Sequence, residues 1–280
     1  MPEIQKPEYL SITFDMGVHH KEIWLAMLSD FPFEAFQEEE KQIIGYILQH
    51  DFLHSLVEFI SENQGIRFDD YHLDRVPDKN WNEVWESSFN PVAVDDYCYI
   101  RAVFHPVEAN FKHGITISPK MAFGTGHHAT TYMMLQAMSH IDFKNKMVLD
   151  FGCGTSILGI VAAKEGARKI IGVDIQPEAI ENSAEHAELN GVSEVCEFLM
   201  GGLEITPPGP YEVILANINR NVIIPSLPAL KGMLTPGGLL LISGIMFDDE
   251  EVVTQPLKKE GLSIQSKNQK DNWLQLTVSN

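Results

Sequence analysis

The stretch of sequence with the clearest chemistry runs from residue 148 to residue 174, VLDFGCGTSILGIVAAKEGARKIIGVD. An apolar run that contains Asp150 opens into a turn at Gly152 and Gly154, and a second apolar run stops at Asp174. This pattern predicts strand, turn, helix and strand, the first βαβ unit of an open parallel sheet. Glycines allow the backbone to come close to a ligand, and a helix start presents N–H groups to an anion. An acid about 20 residues beyond such a turn usually binds both ribose hydroxyls, so the unit predicts a pocket for a nucleoside with an anionic tail.

The glycine spacing excludes two common nucleotide motifs. The dinucleotide fingerprint needs a third glycine where this chain has Ile157, and no Gly-Lys-Ser or Gly-Lys-Thr of a phosphate loop occurs. What remains is D-x-G-x-G with an acid at the end of the next strand. That pattern resembles the S-adenosylmethionine (SAM) methyltransferases of the Rossmann-like class. In that class the turn faces the methionine part of SAM and the acid binds the ribose.

Two further motifs carry polar residues suited to a ligand. MAFGTGHHATT, residues 121–131, precedes a predicted helix at 129–139, and its glycine-flanked turn could hold a small polar ligand or simply form a well-capped helix start. LANIN, residues 215–219, ends the predicted fourth strand at Asn217. Ligands of open α/β sheets bind beyond the carboxyl ends of the strands, so we expect Asn217 and Asp174, on neighbouring strands, to face one crevice. An ordinary turn residue is the alternative for Asn217.

Composition limits the possible partners. The chain has 280 residues and a formal net charge of −19, of which −10 falls in the first 80 residues. An acidic surface repels phosphate backbones, so we expect no sequence-specific nucleic acid binding. The charge favours a basic protein as partner. The alternative is an acidic surface that serves only to keep the protein soluble. No apolar stretch reaches the length of a membrane span, and the three cysteines form no C-x-x-C pair. We expect a cytoplasmic protein without a metal.

The element pattern predicts two domains joined by a linker. Residues 1–75 follow the order βαββαβ of a small α+β ferredoxin-like domain, with helices at 19–30 and 51–63. Residues 76–90 form a linker with one helix, and residues 91–280 form the second domain. The second domain starts with a hairpin or strand pair within 92–105, and its later predicted strands are 147–151, 169–174, 195–199, 211–217, 237–243, 262–268 and 272–278. The last two lie too close for a helical crossover, so they should pair antiparallel. This α/β pattern resembles the seven-stranded methyltransferase sheet, mostly parallel with an antiparallel last strand.

The motifs AFGTGHHATT, VLDFGCGTSILGI, GVDIQPEAI and ILANIN, in this order, resemble the ribosomal protein methyltransferases of the PrmA type. That family methylates large-subunit ribosomal protein eleven at amino groups, and its ferredoxin-like domain recognises the substrate. The resemblance implies SAM as cofactor and a ribosomal protein as partner. It assigns SAM binding to eight positions, Phe123, Gly124, Thr131, Asp150, Gly152, Gly154, Asp174 and Asn217, and catalysis to Asn217. Two positions depart from the family pattern, Ser156 for a glycine and Ala129 for a proline.

Amine chemistry suits an asparagine at this site. An amide oxygen can orient the lone pair of a neutral amine, whereas a carboxylate would favour the unreactive ammonium form. Two alternatives stay open: a SAM-dependent methyltransferase of another protein, RNA or small molecule, and a SAM-binding regulator without transfer activity. The release-factor glutamine methyltransferases carry Asn-Pro-Pro-Tyr after the fourth strand, and this chain has Asn-Ile-Asn-Arg at 217–220.

Overall fold

The computed structural model describes residues 9–15, 33–38, 42–49, 52, 71–75, 90–118 and 127–280. The chain divides into two compact units, Met1–Ser87 and Ser88–Asn280. The helices predicted at 19–30 and 51–63 and in the linker lie outside the described residues, apart from residues 52 and 90. No helix in the described ranges is both long and apolar enough to cross a membrane.

The first unit contains a four-stranded antiparallel sheet in the order β2-β3-β1-β4. Its strands are β1 (Tyr9–Asp15), β2 (Phe33–Glu38), β3 (Gln42–Leu48) and β4 (Tyr71–Arg75). Alternate residues of β3 are buried, including Ile43 and Ile47, as expected for a strand with one covered face. This strand order is the one that a βαββαβ connection produces in ferredoxin-like sheets.

The second unit begins with a three-stranded sheet, β5 (Val92–Val94), β6 (Cys98–Ala102) and β7 (His113–Ile117). The hairpin predicted within 92–105 is present as β5 and β6, which pair antiparallel. Strand β7 then adds parallel to β6, an extension that the sequence did not indicate. It leaves β7 at the edge of this sheet.

The core of the second unit is a seven-stranded sheet in the order β10-β9-β8-β11-β12-β14-β13. Strands β8 to β12 run parallel, and β14 is antiparallel to both of its neighbours, as predicted. The strands are β8 (Met147–Phe151), β9 (Lys169–Asp174), β10 (Cys196–Met200), β11 (Tyr211–Asn217), β12 (Leu234–Met246), β13 (Ser263–Lys270) and β14 (Trp273–Ser279). Strand β12 is longer than the predicted 237–243, because Leu234 pairs with Tyr211 at its start and Met246 pairs with Trp273 at its end.

Five α-helices are described in this unit: α1 (Ala129–Met138), α2 (Ile157–Lys164), α3 (Pro177–Leu189), α4 (Arg220–Met233) and α5 (Glu250–Lys259). Helix α2 is buried along its length from Ile157 to Ala163, whereas α5 buries only Val253 and Leu257. The apolar strands of the sheet require cover on both faces, and the helices provide it. The sheet core thereby fixes the carboxyl ends of β8, β9 and β11.

Candidate active site

The predicted site residues meet where the strand order of the large sheet reverses. Strand β8 lies at the centre, with β9 on one side and β11 on the other. Asp174 ends β9 and Asn217 ends β11. The two strands therefore flank β8 and do not pair with each other, which corrects the expectation of neighbouring strands. The crevice outside a reversal of this kind is the usual ligand site of open α/β sheets.

The glycine turn after β8 is folded back onto β9. Gly152 and Gly154 have positive φ angles of 73° and 54°, which glycine adopts without a steric penalty. The N–H groups of Gly152 and Cys153 both donate to the Val173 carbonyl, and Gly154 N–H donates to Asp174 Oδ2 at 3.0 Å. These three N–H groups are thus used inside the protein. The turn contributes shape and close backbone approach.

The Asp174 carboxylate is held in place by the backbone. Besides Gly154 N–H at Oδ2, it receives Gln176 N–H at Oδ1, 3.0 Å away. A carboxylate oxygen has two acceptor positions, so each oxygen keeps capacity for a further donor such as a ribose hydroxyl. The orientation is set before any ligand arrives.

Two apolar side chains beside Asp174 are exposed, and the sequence analysis named neither of them. Ile175 is 76% exposed, and Met200, which pairs with Asp174 across β9 and β10, is 60% exposed. Exposed apolar side chains next to the predicted ribose acceptor suit the flat face of a base, because covering them removes apolar surface from water. Their signal in the sequence is weak, since an apolar residue at a strand end also fits a packing role.

Asp150 is fully enclosed behind the turn. Its Oδ2 accepts the Ser156 hydroxyl at 3.0 Å and the Gly159 N–H at 3.1 Å. Burial raises the pKa of this carboxyl to about 7, the repulsion from Asp174 acts in the same direction, and the two hydrogen bonds oppose the rise. Ser156 has a positive φ of 52°. That conformation explains why a glycine is usual at this position in the family and shows what the serine adds, a donor to Asp150.

Asn217 and Thr131 form the opposite wall of the site. Asn217 Nδ2 donates to Thr131 Oγ1 at 3.3 Å, so the first turn of α1 is tied to the end of β11. Asn217 Oδ1 is buried and has no hydrogen-bond partner among the residues that the structure describes. Buried acceptors are nearly always paired, so this oxygen indicates a place for a ligand donor.

The helix that carries Thr131 begins as the sequence suggested, at Ala129. His128 is its N-cap, and the ring nitrogen Nδ1 accepts the Thr130 N–H at 3.3 Å. Burial lowers the pKa of His128 below its usual value, which favours the neutral, accepting ring.

The LANIN segment is locked against the glycine turn. A Cβ on Gly152 would lie 2.3 Å from Ile218 Cγ2, and a Cβ on Gly244 would lie 2.6 Å from the Ile218 carbonyl oxygen. Ile218 therefore fills the space that two glycines leave open, and the backbone after Asn217 is fixed. Of the predicted site residues, Phe123 and Gly124 lie outside the described residues.

These features fit SAM as a ligand. Asn217 Oδ1 offers a buried acceptor for an N–H group, and Asp174 offers acceptors for the ribose. Asp174 places a carboxylate at the carboxyl end of β9, which suits a ligand that carries a sulfonium and an ammonium cation. Thr131, Asp150, Gly152, Gly154, Asp174 and Asn217 are brought to this edge of the sheet. Their individual roles toward the cofactor stay predictions.

Comparison with known proteins gives the same family. A family model described as Ribosomal protein L11 methyltransferase (PrmA) matches residues 15–280. The chain is 33% identical over 282 residues to the ribosomal protein L11 methyltransferase of Porphyromonas gingivalis, covering 96% of this chain and 97% of that protein. It is 34% identical over 258 residues to the protein of the same name from Bacteroides thetaiotaomicron, covering 90% and 91%.

A solved structure supports the fold. The crystal structure of a ribosomal protein L11 methylase from Lactobacillus delbrueckii subsp. bulgaricus superposes with a TM-score of 0.63 at 26% identity, covering 69% of this chain and 99% of that one. The predicted α/β methyltransferase fold, the SAM cofactor and the enzyme class are confirmed. The chain belongs to the ribosomal protein L11 methyltransferase family.

Proposed function

We propose that this enzyme transfers methyl groups from SAM to amino groups of ribosomal protein L11, at lysine side chains, the N-terminal amine or both. The observation that carries the proposal is the buried, unpartnered Oδ1 of Asn217 at the end of β11. It is an acceptor without a charge, at the edge of the sheet where the ligand crevice opens. The relatives named as ribosomal protein L11 methyltransferases support the choice of substrate.

The amine must be neutral to react. A lysine with an ordinary pKa near 10.4 is neutral in on the order of one molecule in a thousand at pH 7, and an α-amino group near 8 is far more often neutral. An amide oxygen accepts an N–H from the neutral amine and aims its lone pair. Asn217 stabilises that orientation without the negative charge that would raise the pKa of the amine.

The remaining site residues would hold the cofactor. When bound, SAM supplies a methyl group on a sulfonium, which is already a strong electrophile, so positioning is the main task of the protein. Asp174 would accept the ribose hydroxyls, Ile175 and Met200 would cover the base, and the turn at Gly152 and Gly154 would face the methionine part. Thr131 keeps the Asn217 amide in its rotamer through the 3.3 Å hydrogen bond.

The first unit is proposed to recognise the substrate protein. The first 80 residues carry 16 acidic and 6 basic residues, a balance that attracts a basic partner. This division into residues 1–75 for recognition, 76–90 as linker and 91–280 for catalysis is part of the proposal. A cytoplasmic location is part of it as well, because the proposed substrate is a ribosomal protein.

The test is methyl transfer to purified ribosomal proteins with radiolabelled SAM, followed by intact-mass measurement of each labelled protein. We expect mass increases in multiples of one methyl group on ribosomal protein L11 alone. Label on ribosomal RNA, on another protein or on a small molecule would refute the substrate. SAM binding without any methyl transfer would instead favour a SAM-binding regulator.

A further inference from the structure

Helix α3 and the residue after it carry a row of polar side chains between the glycine turn and β7, of which Ser183 and His186 are buried and Asn190 is half-buried. Ser183, His186 and Asn190 are spaced three and four residues apart and therefore lie on one face. Ser183 Oγ donates to the Gly154 carbonyl at 2.7 Å. Asn190, just after the helix, accepts Thr116 N–H at 2.9 Å and donates to the Thr116 carbonyl at 2.7 Å.

His186 occupies the middle of this row and contacts two separate segments. Its ring is 1% exposed. Nδ1 lies 3.1 Å from the Thr155 carbonyl oxygen in the glycine turn, and Nε2 lies 3.2 Å from both the nitrogen and the carbonyl oxygen of Ser118, directly after β7. The Thr155 carbonyl can only accept, so its contact requires the proton on Nδ1, and the Nε2 of a neutral ring then accepts the Ser118 N–H. The opposite tautomer would donate to the Ser118 carbonyl and leave Nδ1 facing a second acceptor.

One of the two segments that His186 joins is the glycine turn of the site, and the other lies directly after β7. Thr155 follows Gly154, whose N–H orients Asp174. Ser118 lies three residues before the MAFGTGHHATT motif that leads to Thr131. Strand β7 lies at the edge of its sheet. Asn190 and His186 bond to backbone groups of Thr116 and Ser118 that a further strand would otherwise use.

We propose that His186 is a positioning residue for SAM binding, acting through the Thr155 carbonyl on the turn that holds Asp174. The proposal rests on the proposed function only for the cofactor and needs no assumption about the methyl acceptor. Asn190, one turn further on, makes the same kind of contact with β7 but none with the glycine turn, so it provides the matched control.

Two substitutions separate the two contacts of the ring. In His186→Asn the side-chain amide can occupy the place of Nδ1 and keep the bond to Thr155, whereas in His186→Gln it can reach the place of Nε2 and keep the bond to Ser118. We expect SAM affinity, measured by calorimetry, to fall about three- to tenfold in His186→Gln and to change less than twofold in His186→Asn and Asn190→Ala. Equal SAM affinities in the Gln and Asn variants would overturn the proposal, whatever the substrate of the enzyme is.

A measurement on the unaltered chain covers the case in which a variant fails to fold. Nitrogen NMR of histidine-labelled protein reports which ring nitrogen of His186 carries a proton. A proton on Nδ1, with a signal that shifts when SAM is added, is the expected result. A ring with its only proton on Nε2 would not donate to Thr155 and would overturn the proposal.

Discussion

Replacing Ser156 tests how the buried Asp150 is stabilised. The Ser156 hydroxyl donates to Asp150 Oδ2 at 3.0 Å in a fully buried setting. Ser156→Ala removes this donor and keeps the strained backbone, with φ at 52°. A hydrogen bond to an ionised group contributes about 1.5–3 kcal/mol, and a bond between neutral groups about 0.5–1.5 kcal/mol. The free energy of unfolding should therefore fall more where Asp150 is ionised.

The pH dependence follows from the direction of the pKa shift. Burial raises the pKa of Asp150 from 3.8 to about 7 in the folded chain. The carboxyl therefore lowers the stability of the fold progressively as pH rises from about 4 to about 7, because the unfolded chain ionises first. The Ser156 hydroxyl opposes this loss. We expect Ser156→Ala to cost about 1 kcal/mol near pH 6 and about 2 kcal/mol near pH 9, since its absence raises the pKa of Asp150 further.

Two companions make the test specific. Ser156→Gly loses the same hydrogen bond but relieves the left-handed backbone, so it should be about 1 kcal/mol more stable than Ser156→Ala at every pH. Ser183→Ala removes another buried hydroxyl, one that donates to the Gly154 carbonyl, and its cost should not change with pH. Urea unfolding followed by circular dichroism between about pH 6 and pH 9 measures all three. A pH-independent cost for Ser156→Ala, parallel to that of Ser183→Ala, would refute the reasoning.

Four further results are expected. Asp174→Ala should weaken SAM binding by roughly 2–3 kcal/mol in calorimetry, about 30- to 150-fold, and an unchanged affinity would refute its role at the ribose. Asn217→Asp should slow methyl transfer most at neutral pH and least near pH 10, whereas the deficit of Asn217→Ala should vary little with pH; parallel pH–rate profiles at saturating SAM would contradict the amine argument. Met200→Ser should weaken SAM binding about three- to tenfold, and Ile264→Ser, on an exposed residue of β13, should not. A chain that begins at Ser88, the start of the second unit, should bind SAM as the full chain does but lose transfer to the ribosomal protein; efficient transfer would assign the first unit another role.

The sequence predicted the strands at the site well because their signals are local. Strands β8, β9 and β11 match the predicted 147–151, 169–174 and 211–217, since each is a short apolar run bounded by a turn or an acid. The unpartnered state of Asn217 Oδ1 and the Thr131 contact could not be predicted, because they depend on segments 86 residues apart. The contacts that Ser183 and His186 make with the glycine turn were missed for the same reason. In the sequence these two residues stand out only as polar residues on the buried face of an amphipathic helix. That face would have been the one available signal.

The order of strands in the large sheet has a consequence for synthesis on the ribosome. Strand β14 follows β13 in the chain but lies between β12 and β13 in the sheet. Strand β13 therefore has no partner in this sheet until β14 has been translated and has left the exit tunnel. Until then the edge of β12 is unpaired. The core also lacks three side chains of β14 that are buried in the complete fold, those of Leu274, Leu276 and Val278. A nascent chain paused before β14 exposes an apolar strand edge of the kind that chaperones bind, and this half of the sheet forms only after the last strand has emerged.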